Sequence, residues 1–425
     1  MKKIFTIIFA VCFMASTVYA VDIETSGKFE VRGSYISNED GLQGGDTDAV
    51  SYGYYDSELD MNVDLVVSEA TKIMLNFEAH DENWMQSGTD GAAVSGEVTD
   101  NGDGTYSFDG DDLDDNIEIK RLYGTHTFTT GTIFEAGLME GYAFGTDFGN
   151  SANGAWILSV AHPLAGIDGT VGLNIQKDTE MGKENSTTED AEKDDSDSYY
   201  LWGSFNMAGH TIMPRLAYYN DSAYVEDNDD DGMKTMEITL AAEGTMGPLG
   251  YEAEVEYSDN TTDVESEEDY SLYGVYANLW TEMGNTTLGG LIAYGSYDDD
   301  AGVGYGFGED FTPTMFGADF TEVGATGLSE YNAVTLIQLY GEMTMSEALS
   351  LFANGTYWMS NSDGNMWEDA TGYEIDLGGA YKITENVKYD VLAAYGQFEL
   401  DEDAAAGSDD TDAFYRLFHR FTINF

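Results

Sequence analysis

Basic residues are scarce in this chain: 16 Lys and Arg stand against 80 Asp and Glu, for a formal net charge of −64. Such a polymer repels nucleic acid and anionic surfaces, so no nucleic-acid partner is expected and small cations are its natural counterparts. Cysteine is nearly absent. Its one copy, Cys12, lies in an apolar run near the N-terminus, which removes disulfides, thiolate redox pairs and Cys-based metal sites from the remainder. No segment supplies the ~20 consecutive apolar residues that a membrane-spanning helix requires. Catalytic patterns are missing too. The five histidines, His80, His126, His162, His210 and His419, are far apart and none belongs to an H-E-x-x-H; no G-x-S-x-G elbow occurs. The glycine-rich run from Gly302 to Gly308 lacks the G-x-G-x-x-G spacing and reads as part of a long aromatic-rich outer loop. An enzyme is not expected.

What is present begins with a leader. Lys2 and Lys3 precede an apolar run from Ile4 to about Met14, followed by Val18, Tyr19 and Ala20. This is the pattern of a secretory signal peptide over residues 1–20, leaving 21–425 as one unit with no internal linker. From Tyr55 to Val67, the residues Tyr55, Ser57, Leu59, Met61, Val63, Leu65 and Val67 alternate with Asp56, Glu58, Asp60, Asn62, Asp64 and Val66. A period of two means a strand with one apolar and one carboxylate face. Lys72 to His80 repeats the pattern, as does Tyr251 to Tyr257, where Glu252, Glu254 and Glu256 share a side. With 29 Tyr, 21 Phe and 6 Trp, the chain carries too many aromatics for a disordered acidic polymer.

Short turns are expected near Ser68 to Thr71, Thr129 to Gly131, Pro163 to Gly166, Ala208 to His210, Gly244 to Gly250, Met283 to Asn285, Met343 to Ala348 and Thr384 to Asn386. Long polar loops alternate with them, the second holding a small hairpin over Val98 to Phe108. This asymmetry predicts an all-β fold: a single transmembrane antiparallel barrel of 16 to 18 strands, with short periplasmic turns and long outer loops. The lower count follows if the segment from Trp156 to His162 merges with its successor. Of the four prolines, Pro163, Pro248 and Pro313 fall in expected connections and Pro214 near a strand start. Aromatic doublets such as Tyr54 and Tyr55, Tyr199 and Tyr200, Tyr218 and Tyr219, and Tyr357 and Trp358 suggest an interfacial girdle near the loop-side strand ends.

The chain ends in a strand whose alternate residues are Tyr415, Leu417, His419, Phe421, Ile423 and Phe425. An apolar edge of this kind must be paired, and closure onto the first strand, Ile23 to Ile36, would pair it. Phe421, Ile423 and Phe425 resemble the terminal signal that the barrel assembly machinery of the outer membrane reads; His419 departs from that pattern. Taken with the leader, alternation and loop asymmetry, the chain resembles Gram-negative outer-membrane porins. Lys120 to Tyr123 leading to Gly137 to Gly141, and Asp310 to Thr314, resemble the homotrimeric porins of sulfate-reducing bacteria. The resemblance implies an outer-membrane homotrimer in contact with lipid and lipopolysaccharide, passive diffusion of small hydrophilic solutes, and a constriction where loop acids face wall bases.

The expected pore-lining acids are Asp56, Glu58, Asp60 and Asp64 on the second strand, with Glu140 and Asp147 on a constriction loop from Glu140 to Gly154. That loop is glycine-rich, which permits inward folding, although an ordinary outward loop fits the residues as well. Lys28 and Arg32 share a face of the first strand, and Arg416 and Arg420 share a face of the last. These four bases form either a basic stripe that sets a transverse field or a set of partners for neighbours such as Glu30 and Asp56. The acid excess favours cations. Asp227, Asp229 and Asp231 begin a calcium-loop pattern, but Ile238 stands where the closing Glu belongs. A looser Ca2+ site there, and otherwise no cofactor, is the expectation. The competing function is a structural barrel closed by its loops, whose acidic surface binds divalent cations or mediates adhesion.

Overall fold

The computed structural model describes residues 21–37, 51–83, 98–100, 106–108, 117–141, 143–150, 154–179, 196–221, 232–262, 268–308, 311, 333–362, 368, 370–399 and 413–425. The signal-peptide assignment and the aspartates at 227, 229 and 231 fall outside them. Eighteen strands form one sheet: β1 (Asp22–Ser37), β2 (Ser51–Ser68), β3 (Thr71–Asn83), β4 (Ile117–Thr127), β5 (Ile133–Glu140), β6 (Gly154–Pro163), β7 (Gly169–Thr179), β8 (Ser196–Met207) and β9 (His210–Asp221). The second half comprises β10 (Met233–Met246), β11 (Leu249–Thr262), β12 (Tyr270–Met283), β13 (Thr286–Gly295), β14 (Val334–Ser346), β15 (Leu349–Ser360), β16 (Thr371–Lys382), β17 (Val387–Glu399) and β18 (Phe414–Asn424). Each strand pairs antiparallel with the next.

β1 pairs with β2 and also with β18, from Lys28 opposite Asn424 to Ser37 opposite Tyr415. The sheet therefore closes into an 18-stranded antiparallel barrel without a free edge. Gly27 and Phe425 exchange two backbone hydrogen bonds, of 2.9 and 3.1 Å, at the end of this seam. The higher of the two expected strand counts holds because β6 pairs with both β5 and β7 as a strand of its own. All the anticipated tight turns are found. At Ala208 and Gly209, φ is +53° and +86°, the pair of positive angles that lets a two-residue hairpin follow the right-handed twist of its strands. The hairpin within the second loop also forms, Val98–Asp100 against Tyr106–Phe108.

Two prolines sit differently from expectation. Pro163 is the last residue of β6, and Pro214 lies inside β9. The β8–β9 register passes from Trp202 opposite Arg215 to Phe205 opposite Ile212, so the ladder is interrupted where Pro214 has no N–H to donate.

Outward positions are apolar and open: Leu339 is 71 % exposed, and Leu201, Ile238 and Leu377 exceed half. A contiguous surface of this kind needs an apolar surrounding rather than water. The aromatic doublets divide between the faces. Tyr199 and Tyr218 point outward with ring centroids 6.4 Å apart, and Tyr273 with Tyr294 and Tyr35 with Tyr415 continue an outer girdle. Their neighbours Tyr200 and Trp358 are buried inside the barrel. Period-two geometry requires this split, so only one member of a doublet can reach the interface.

The core lies inside the bore. Leu272, Tyr276, Val334, Leu336 and Trp358 of the wall enclose Phe148, Tyr305 and Phe311 from two loops. Tyr305 belongs to the glycine-rich run that reads as an outer loop in the sequence. Instead it turns inward, with Tyr305 N–H donating to Ser296 at 2.8 Å and Ala333 N–H to Tyr305 at 3.0 Å. Against that inner wall the aromatic side chains shed water that a loop projecting into solvent would leave on them.

Candidate functional site

The seam of the barrel brings the expected charges together on the inner face. Lys28 lies 3.2 Å from Glu30 and 3.4 Å from Glu58. Arg32 reaches Asp56 at 2.5 Å and Glu58 at 3.0 Å. Arg420 is 3.8 Å from Glu30 and 3.5 Å from Asp390. Arg416 is buried, donates to Ser34 Oγ at 2.7 Å and covers the Phe418 ring. Asp60 accepts from Asn76 at 2.7 Å, and Asp64 stands 3.7 Å from Lys72. Lys28, Arg32 and Arg420 of the stripe thus stand at contact distance from acids, while Arg416 meets Ser34 and Phe418. Paired charges cancel at a distance, which leaves little transverse field from Lys28, Arg32 and Arg420. Phe425, half exposed, closes the opposite face of the same seam over Gly27.

β4 contributes a base that alternation conceals. Lys120 and Arg121 are adjacent, and in a regular strand they would point to opposite faces. The β3–β4 register jumps from Asn76 opposite Arg121 to Phe77 opposite Ile119, a bulge with Lys120 as the extra residue. Both side chains thereby face inward. Lys120 reaches Glu118 at 2.8 Å and Glu78 at 3.7 Å, and Arg121 reaches Glu140 at 2.8 Å.

Beyond Glu140 the chain enters the lumen and crosses to β11. Thr146 N–H donates to Glu254 at 2.5 Å, and Thr146 caps a 3-10 turn, Asp147–Gly149, whose Phe148 is fully buried. Phe148 stacks on Tyr276 at 5.5 Å and on Tyr305 at 5.7 Å. Gly145 (φ +86°) and Gly149 allow the approach, because a Cβ at either would strike the Glu254 carboxylate. The second inward loop docks on the next carboxylate: Tyr305 O–H donates to Glu256. Burial, then the charge of Glu256, hold the Tyr305 phenol well above its ordinary range, so it stays a donor. Among the described residues Asp147 does not meet a base. Burial raises its carboxyl above the usual range, and the nearby Glu252 raises it further.

Glu252, Glu254 and Glu256 alternate inward along β11, where the sequence put them on one face without showing that two loops rest there. Behind them Arg215 is buried, with Nη2 2.6 Å from Glu237, 3.2 Å from Thr239 and 3.4 Å from Glu256. Its guanidinium lies 5.1 Å from the Phe144 ring centroid and 5.7 Å from that of Tyr200. Nothing in the local sequence marks this arginine; its partners come from β8, β10, β11 and the loop. Between the loop and the wall from β4 to β9 remains a cavity of about 550 Å³. Among the described residues no cluster of three or more His, Cys, Asp or Glu is arranged to hold a metal ion.

No family profile and no curated protein sequence matches the chain. Solved structures do. Pseudomonas aeruginosa OccK2 (OpdF), crystallised in complex with glucuronate, superposes with a TM-score of 0.54 at 9% identity over 94% of this chain and 98% of that one. Acinetobacter baumannii OccAB3 gives 0.54 at 12% identity, covering 95% and 100%. OccAB2 from the same organism gives 0.52 at 8% identity, covering 95% and 98%. At such identities the likeness is one of fold: a complete barrel of the same architecture.

Proposed function

We propose that this chain is an outer-membrane porin through which small hydrophilic solutes and ions pass passively, with a preference for cations. The observation that carries the reading is the section across the barrel: an apolar outer surface with a tyrosine girdle, a closed sheet, and a polar lumen narrowed by an inward loop. The sign of the preference rests on the bases. Lys28, Arg32, Lys120, Arg121, Arg215 and Arg420 each lie within 4.0 Å of a carboxylate, while Asp147 and Glu252 add acid at the narrow part. Paired bases do little for a passing anion, and the surplus acid draws cations. OccK2 was crystallised with glucuronate, an anion; in this lumen Arg32, Arg121, Arg215 and Arg420 are held against carboxylates.

The same reading assigns the pore lining to Asp56, Glu58, Asp60, Asp64, Glu140 and Asp147 with Lys28, Arg32, Arg416 and Arg420. It includes export by residues 1–20, assembly through Phe421, Ile423 and Phe425, and the trimer known from the porins of sulfate-reducing bacteria. Purified protein in a planar bilayer under a salt gradient tests it. Ohmic steps whose reversal potential lies on the cation side are expected; an anion-side potential overturns the preference. A barrel sealed by its own loops is the second reading, favoured by the apolar cluster of Phe148, Tyr305 and Phe311 within the bore. Persistent electrical silence would establish that reading instead.

A further inference from the structure

Resting on the porin reading, we infer that the cavity between the inward loop and strands β4 to β9 binds uncharged sugars, so that uptake of these solutes saturates. Its volume of about 550 Å³ falls within the roughly 300–1,000 Å³ of ordinary ligand sites, which suits a mono- or disaccharide.

One part of the wall is flat and apolar. The Trp202 indole lies directly on the Gly172 backbone, where a Cβ would collide with the ring. Its Nε1 donates to Asn174 Oδ1 at 3.1 Å, which fixes the plane, and Phe144 of the loop flanks it with centroids 6.5 Å apart. A rigid, half-buried aromatic plane suits the C–H face of a pyranose ring. The rest of the wall carries amides and hydroxyls: Asn150, Asn174, Gln176, Ser159 and Ser204. These groups both donate and accept hydrogen bonds, as a sugar hydroxyl does, whereas a carboxylate only accepts and an ammonium only donates.

The charges of the cavity are already committed within the protein. Arg121 is held by Glu140 at 2.8 Å. Arg215 is clamped by Glu237 and Glu256 and enclosed between Phe144 and Tyr200. Glu135 also lines the space, so no surplus of positive charge invites an anion. What the cavity offers a solute is an aromatic plane bordered by neutral amides and hydroxyls.

The test uses the full mature chain with maltose as probe and glucuronate as anionic comparator. In a planar bilayer, maltose should interrupt the ion current with a saturable concentration dependence, and glucuronate should do so more weakly. Trp202→Ala should weaken maltose by about tenfold, the loss of one good aromatic contact. Trp280→Ala, which removes an indole lying on Gly250 outside the cavity, should keep the maltose response. Titrating tryptophan fluorescence in detergent reads binding without conduction, so a silent channel that still binds maltose through Trp202 would sink the porin reading alone. Ion current with strictly linear maltose flux and no fluorescence response overturns the sugar site, as would tighter binding of glucuronate.

Discussion

Arg215 shows how much one side chain can depend on distant strands. It is buried, and its charge is balanced by Glu237 of β10 and Glu256 of β11. Removing one partner of a buried ion pair leaves the other charges uncompensated, at a cost of about 3–5 kcal/mol. Arg215→Ala is therefore expected to destabilise the barrel by that amount, read as a lower urea midpoint for unfolding in detergent. Surface pairs behave differently. Arg32 is partly exposed, and its pairs with Asp56 and Glu58 contribute at most about 1 kcal/mol. Arg32→Ala should leave stability nearly unchanged yet shift the reversal potential further toward cations, because it unmasks two carboxylates on the inner wall. Unchanged selectivity would remove the seam from the conduction path.

At the scale of elements, both inward loops are fastened to neighbouring carboxylates of β11. Phe148→Ala deletes a fully buried ring from the loop cluster, a change that typically costs about 3–5 kcal/mol. It should unseat the loop, seen as higher and noisier single-channel conductance and as proteolytic cleavage near residue 148. Protonation acts on the same contact. Burial and Glu252 raise the Asp147 carboxyl above its ordinary range, so the seated loop favours the neutral acid. Seating is strongest below the ordinary aspartate range and weakens as pH rises through the raised value. Open-channel noise should grow over that interval, and Asp147→Asn should flatten the change; a pH-independent trace in the wild type would contradict it. The bulge at Lys120 belongs to this scale too. Strict alternation sends one of Lys120 and Arg121 outward, and only the register of β3 against β4 shows both turned in.

For the whole molecule, closure is the decisive feature. β1 and β18 are far apart in sequence, and their pairing removes the only free edges of the sheet. Deleting Phe425 removes two backbone hydrogen bonds and the ring that covers Gly27. Assembly should slow markedly, with unfolded, heat-insensitive protein accumulating on cold gels. Charge patterning across the barrel was largely readable beforehand, because period two assigns Glu252, Glu254 and Glu256 to one face and Tyr251, Ala253, Val255 and Tyr257 to the other. The doublets at Tyr199 and Tyr357 were less so, since composition counts both members whereas geometry sends one of each inward.

Sequence alone determined the strand period, the turns, the acidic inner face and the apolar rim, since each depends on residues within a few positions of one another. Tertiary structure decided which acids meet which bases, and that Tyr305 and Phe148 share a core inside the bore. It also decided that Arg121 and Arg215 are held against carboxylates. Those facts depend on strand register and on loops crossing the lumen, contacts between residues tens to hundreds of positions apart that local periodicity does not encode.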